Sequence, residues 1–200
     1  MPLKNDPRKT NPQMIILARE SRGIAQNELA DLLSIKQATM SKIENGLLKI
    51  SKEDLKKISI TLDYPENFFL QNEPIYGMEA SEFYHRKRQS APLKELKKVY
   101  AIINIITMNI NKLLKSVDIG DIIIPSMDIS NYDSIEDIAQ ITRTVFKLTH
   151  GPIHNVVSTI EKAGGIVVFC DFDTNKVDAI SRRIPGIPPL FFVNKNMPPD

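Results

Sequence analysis

The chain has 200 residues, 42% of them hydrophobic and 25% charged, and a net charge of +2. That length suits one large domain or two small ones, and so many aliphatic residues with so little net charge exclude a disordered chain. No apolar run reaches the roughly 18 residues of a membrane span, and Met1–Thr10 lacks the apolar stretch of a secretory signal.

A single cysteine, Cys170, excludes a disulfide framework and a multi-cysteine zinc site. These features together lead us to expect a cytoplasmic protein with no membrane partner. Charge is uneven along the chain, with a surplus of +4 over residues 1–98 and −2 over residues 99–200. A mildly basic front half permits a polyanionic partner without demanding one.

In chain order, residues 1–12 hold three prolines and read as a flexible leader. Pro12 suits the first turn of a helix, and Met14, Ile15, Leu17 and Ala18 follow as an apolar stripe ending near Gly23. A second helix runs from Gln26 to Leu33. After the short turn Ser34-Ile35-Lys36, a third spans Gln37–Glu44 and stops at Asn45-Gly46. Two short helices joined so tightly cross steeply, as in a helix-turn-helix. Ser51 with Asp54 opens a fourth helix as a capping box, and Pro65 opens a short fifth with Phe68 and Phe69.

The string Gln26-Asn-Glu28-Leu29-Ala30 and then Gln37-Ala-Thr-Met-Ser41-Lys42-Ile43-Glu44-Asn45-Gly46 closely resembles the lambdoid-repressor-like helix-turn-helix domain of XRE-type regulators, over residues 13–70. The resemblance implies a five-helix domain that binds an operator in double-stranded DNA. Position by position, it makes Gln37, Ala38, Ser41 and Lys42 base contacts, and Gln26, Lys36, Asn45, Lys49 and Lys52 phosphate contacts. It also implies a structural pair between Arg19 and Glu44. Two positions depart from the family pattern. Ala25 stands where a capping Thr, Ser or Asn is usual, a loss of about 1 kcal/mol. Ser34 stands where a turn glycine is frequent, which implies strain if its φ is positive.

Residues 71–92, with Pro74, the basic run His85-Arg-Lys-Arg88 and Pro92, read as a linker. Residues 93–117 repeat apolar positions every three or four, from Leu93 through Ile103, Ile106 and Ile110 to Val117, with Asn104, Asn109 and Asn111 off that face. One long helix follows from this, as a core helix or as a dimer seam. Ser134 with Asp137 caps another helix, and Gly151-Pro152 starts the next, with Val156, Val157 and Ile160 facing in. Gly164-Gly165 ends it. Ile166–Cys170, Val177–Ser181 and Leu190–Val193 read as three short strands. The fold class is mainly α with a small α+β second domain over residues 93–200.

His150 and His154 have the four-residue spacing of two ligands on one helix. Gly151 and Pro152 interrupt that helix, however, so no metal site is expected. Cys170 lies in an apolar strand pattern and reads as a buried small hydrophobe, with Asp171 and Asp173 as a solvated strand end. No catalytic constellation emerges.

Phe83-Tyr-His-Arg86-Lys87, Ile135-Glu-Asp-Ile-Ala139, Gly151-Pro-Ile153, Ile160-Glu-Lys-Ala-Gly164 and Pro189-Leu-Phe-Phe-Val-Asn194 together resemble the N-terminal part of the ImmA/IrrE metallopeptidase family. In that family an H-E-x-x-H zinc helix follows the last of these segments, and no such motif occurs in this sequence. The chain as given is therefore expected to be non-enzymatic and to carry no cofactor, with zinc a matter for a longer parent protein. Three functions remain open. One is an XRE-type transcriptional regulator, expected to be a homodimer, with a sensing, dimerisation or peptidase-derived C-terminal domain. Another is a fragment of a zinc peptidase that cleaves a partner repressor. The third is a non-enzymatic, antitoxin-like protein-binding module.

Overall fold

In the computed structural model, residues 10–76, 83–87, 92–117, 120–149 and 151–197 are described. They form two compact units, Met1–Gly77 with Ala91–Ile110, and Met78–Ser90 with Asn111–Asp200. Among the described residues the architecture is mainly α, and the strands lie in the second unit.

Helices of the first unit start and stop where local chemistry directs. Helix α1 (Pro12–Ser21) begins behind Asn11, whose Oδ1 accepts the Gln13 N–H at 3.0 Å. Helix α2 (Gln26–Leu32) has no side-chain cap at Ala25. The other half of a capping box still operates there, since the Ala25 N–H donates to Glu28 at 2.6 Å. Helix α3 spans Gln37–Glu44, and α4 spans Lys52–Leu62 behind Ser51, which caps Asp54 N at 3.0 Å. The expected fifth helix is a 3-10 helix, Glu66–Leu70. Its Phe69 carbonyl accepts the Asn11 N–H at 2.7 Å, closing the bundle on itself.

Helices α2 and α3 end in the same motif. Ile35 N–H reaches the Ala30 carbonyl at 3.0 Å, as Leu47 N–H reaches Lys42 at 2.8 Å. The residue between cap and closing bond must then be left-handed: Gly46 at φ +70°, but Ser34 at φ +56°. Ser34 is exposed and holds the tight turn at a conformational cost of about 1 kcal/mol. Ser34→Gly is therefore expected to raise the melting temperature by several degrees, roughly 4–8 °C per kcal/mol. Thermal unfolding followed by circular dichroism checks it, and an unchanged or lower midpoint would show that the turn stores no strain.

Met14, Ile15, Ala18, Leu29, Met40, Ile58, Leu62 and Phe69 form the core of this unit, each fully buried or nearly so. Ala101 and Met108 of the long helix α5 (Leu93–Leu114) complete that core. The buried residues of this helix run from Val99 to Met108. Ile103 is completely buried and so unavailable as an open seam. Asn104, expected off that face, is 5% exposed. Its amide clamps the extended segment before it, accepting from Tyr76 N–H at 3.1 Å and donating to the Tyr76 carbonyl at 3.2 Å.

The second unit carries a four-stranded sheet in the order β1-β3-β4-β2. Strands β2 (Ile166–Cys170), β3 (Val177–Arg182) and β4 (Leu190–Asn194) lie where the apolar runs placed them. β4 runs between β2 and β3, parallel to the first and antiparallel to the second. β1 (Phe83–Lys87) pairs antiparallel with β3 from within the stretch read as a linker. The division into 71–92 as linker and 93–200 as second domain is corrected accordingly. The linker supplies a strand to the second unit, and most of the long helix belongs to the first.

Helix α6 (Ile135–Val145) starts at Ser134, whose hydroxyl caps Asp137 N at 3.1 Å. Helix α7 (Val156–Lys162) starts at Asn155 rather than at Pro152, because the Asn155 side chain accepts the Ser158 N–H at 2.8 Å. Neither helix has a fully buried residue, and Val156, expected to face in, is 54% exposed. The α7–β2 corner is tight. A Cβ on Gly164 would come within 2.7 Å of the Ile122 backbone, and Gly164 has φ +87°.

Cys170 is 9% exposed. Burial, followed by the neighbouring Asp171 charge, pushes its thiol up to about 11. Its thiolate fraction near neutral pH is correspondingly small, so Cys170 is expected to react far more slowly than a free thiol with iodoacetamide at pH 7.5. Mass spectrometry of the alkylated native chain measures this. Modification at the rate of glutathione would contradict the buried, thiol-form assignment.

Candidate nucleic-acid interface

One carboxylate organises the helix-turn-helix. Glu44, the last residue of α3, is 4% exposed, and Arg19 on α1 is 8% exposed. Arg19 Nε donates to Glu44 Oε1 at 2.7 Å and Nη2 to Oε2 at 3.1 Å, a two-pronged pair. Its remaining Nη1 donates to the Ile24 carbonyl at 2.9 Å, which pins the loop entering α2. Gln26 Nε2 then donates to Glu44 Oε2 at 2.8 Å, tying the start of α2 to the end of α3. The structure therefore brings Arg19 and Glu44 together and adds Gln26 to them.

The front of α3 is presented to solvent. Lys36, Gln37, Ala38 and Lys42 are exposed, and Ser41 is half-buried beside them. Met40, Ile43 and Glu44 take the opposite, buried side of the same helix. That division follows from the helical period: positions 37, 38, 41 and 42 share one face, and 40, 43 and 44 the other. Lys49 is exposed in the segment leading into α4, and Lys52 is exposed as its first residue.

The expected phosphate donors are less uniform. Gln26 is half-buried and spends one amide N–H on Glu44, leaving the second for an outside acceptor. Asn45 is exposed, but its amide nitrogen is bonded to the Ser41 carbonyl at 2.8 Å and the Ser41 hydroxyl at 3.3 Å. In this conformation it offers its oxygen, not a donor, to the surroundings. Leu47 and Leu48, 79% and 44% exposed, stand just past Gly46 on the same segment and were not anticipated. The Leu-Leu pair after the helix stop is their only trace in the sequence.

Glu28 also takes part. The backbone N–H of Ala25 holds its carboxyl below the usual carboxylate range against the opposing effect of desolvation, and the nearby Lys94 adds to the lowering. It stays ionised at neutral pH, and the α2 cap stays formed.

In the second unit, no group of three or more His, Cys, Asp or Glu residues among the described residues is placed to hold a metal ion. His150 lies outside the described residues, so its spacing to His154 is not placed. Asp171 and Asp173 are exposed and occupy a turn. The Asp171 carboxylate accepts from the Asp173 N–H at 2.8 Å and from Asn196 at 2.6 Å. None of the described helices is long and apolar enough to cross a membrane.

Two short helices joined by a tight turn, a buried Arg–Glu tie behind them and an exposed polar face on the second helix define a helix-turn-helix domain. Residues 15–69 match the model of a helix-turn-helix family. This N-terminal part is thus a helix-turn-helix domain of the XRE type, a class that binds double-stranded DNA. No curated protein and no solved structure matches the chain.

Proposed function

We propose that this chain is a sequence-specific, DNA-binding transcriptional regulator of the XRE type, acting in the cytoplasm as a homodimer. One observation carries the reading: Gln37, Ala38 and Lys42 stand exposed on the leading turns of α3, while Arg19, Gln26 and Glu44 lock that helix from behind. A helix so held enters the major groove with its N-terminal residues at base edges. Gln37 has the paired donor and acceptor that match adenine N6 and N7. Ala38 offers a methyl to thymine, and Lys42 reaches guanine O6 and N7. Lys36, Lys49 and Lys52 neutralise phosphates, Gln26 donates its free amide N–H to another, and together they set the register.

One recognition helix touches too few bases to be selective, which is the reason for proposing a homodimer on a two-fold related site. The buried Ile103 is excluded from its seam. The second unit is proposed to sense a signal, or to support the dimer, on a scaffold derived from the peptidase family it resembles. The chain itself is proposed to be neither an enzyme nor the holder of a resident cofactor. The support is chemical: the sequence has only three histidines and no H-E-x-x-H pair to combine two ligands with a general base.

Selection of duplexes from a random library, followed by sedimentation of the complex, tests the reading. Enrichment of a two-fold related motif bound by two chains is expected. Equal retention of all duplexes, or one chain per duplex, would contradict it.

A further inference from the structure

Beside α2 the first unit has an open cavity of about 380 Å³, walled by the end of α1, the loop Gly23–Gln26 and the first turns of α5. Two lysines of α5 line it, Lys94 and Lys97, with side chains 63% and 48% exposed. They lie three apart, on one helix face. Their partners are loose: Lys94 Nζ stands 3.5 Å from Glu28, and Lys97 Nζ stands 3.9 Å from Glu20. Exposed pairs of that kind contribute little, so a phosphate can replace either carboxylate at small cost. Lys98 also packs at this end of α5. Its stem lies over Gly23, 3.3 Å from where a Cβ would be.

Gln26 belongs to both this cavity and the reading helix. It lines the cavity and donates to Glu44, the residue that ends α3. Gln26, a proposed phosphate contact, thus lines the same cavity as Lys94 and Lys97. Neither lysine belongs to the helix-turn-helix stretch matched at residues 15–69, so the charge comes from an element outside that domain. We propose that Lys94 and Lys97 form a second phosphate-binding surface, with α5 gripping the DNA backbone that flanks the bases read by α3. This rests on the DNA-binding reading above and extends the footprint beyond it.

The test uses the full chain and, as probe, a fluorescein-labelled duplex that the chain itself selects. Anisotropy titrations between about 50 and 200 mM salt give the slope of log affinity against log salt, to which each phosphate contact adds about 0.9. The double variant Lys94→Ala/Lys97→Ala is expected to flatten that slope by about 2 and to leave the order of preferred sequences unchanged. Lys94→Arg/Lys97→Arg should restore it. The pair Lys94→Gln/Lys97→Gln keeps most of both aliphatic stems, and gives the same reading if the alanines loosen α5. A slope equal to the parent's in the alanine and glutamine pairs overturns the inference and leaves DNA binding standing. A parent chain that selects no duplex overturns both.

Discussion

Glu44→Ala is expected to destabilise the first unit by about 3–5 kcal/mol, the largest effect of any single change discussed here. The loss comes less from the attraction removed than from the charge left behind. Arg19, 8% exposed, would keep its guanidinium in the interior with the Ile24 carbonyl as hydrogen-bond acceptor and the Glu20 carboxylate no nearer than 4.0 Å. Gln26 would lose its acceptor on α3 at the same time. Arg19→Ala should cost less, because Glu44 would still accept from Gln26. Replacing both partners with apolar residues of similar volume should recover most of the stability, since nothing charged then remains buried. Chemical denaturation of the four species in a double-mutant cycle measures this, with a coupling of about 0.5–3 kcal/mol expected. Strictly additive effects would show that the two side chains do not act as a pair.

The second large effect concerns reading rather than folding. Gln37→Ala and Lys42→Ala each remove a side chain that is exposed and packs against nothing in the core, so stability should hardly change. Each should reduce discrimination at one base position by about 1–3 kcal/mol, roughly 5- to 150-fold. Lys49→Ala should behave differently. Its proposed contact is a phosphate, so affinity should fall evenly across sequences and the salt slope should drop by about 1. Competition titrations with single-base variants of the selected duplex separate the two patterns. If Gln37→Ala lowered binding evenly across all duplexes, Gln37 would be a backbone contact instead of a base reader.

Local chemistry made the first unit readable. Ser51 and Ser134 each face an Asp three residues on, and both start helices as that spacing requires. Pro12 and Gly46 mark a start and a stop, and the motif from Gln26 to Gly46 sets the bounds of α2 and α3 and the short turn between them. Even the departure at Ser34 carried structural content, since its φ is +56°.

What escaped the sequence depends on tertiary partners. β1 hides in Phe83–Lys87 because its pairing with β3 is set by a segment about a hundred residues away, and the run has no apolar alternation to announce it. An apolar helical face does not name what covers it, so α5 read equally well as a seam or as a core helix until Ala101 and Met108 were seen in the first core. Asn104 looked like a surface polar residue, but its amide matches the backbone of Tyr76. The same limit applies to the interface. Exposure of Gln37 and Lys42 follows from helical period, whereas the Gln26–Glu44 bond and the lysines of α5 beside it follow only from packing.

Amide chemical-shift mapping of the isotope-labelled chain during titration with its selected duplex tests the central claim most directly. The largest shifts are predicted at Gln26, at Gln37, Ala38, Ser41 and Lys42 along α3, and at Lys49, with the β2–β4 strands of the second unit much less affected. Shifts concentrated in residues 166–194, with α3 unmoved, would contradict the account and place the DNA-binding surface in the second unit.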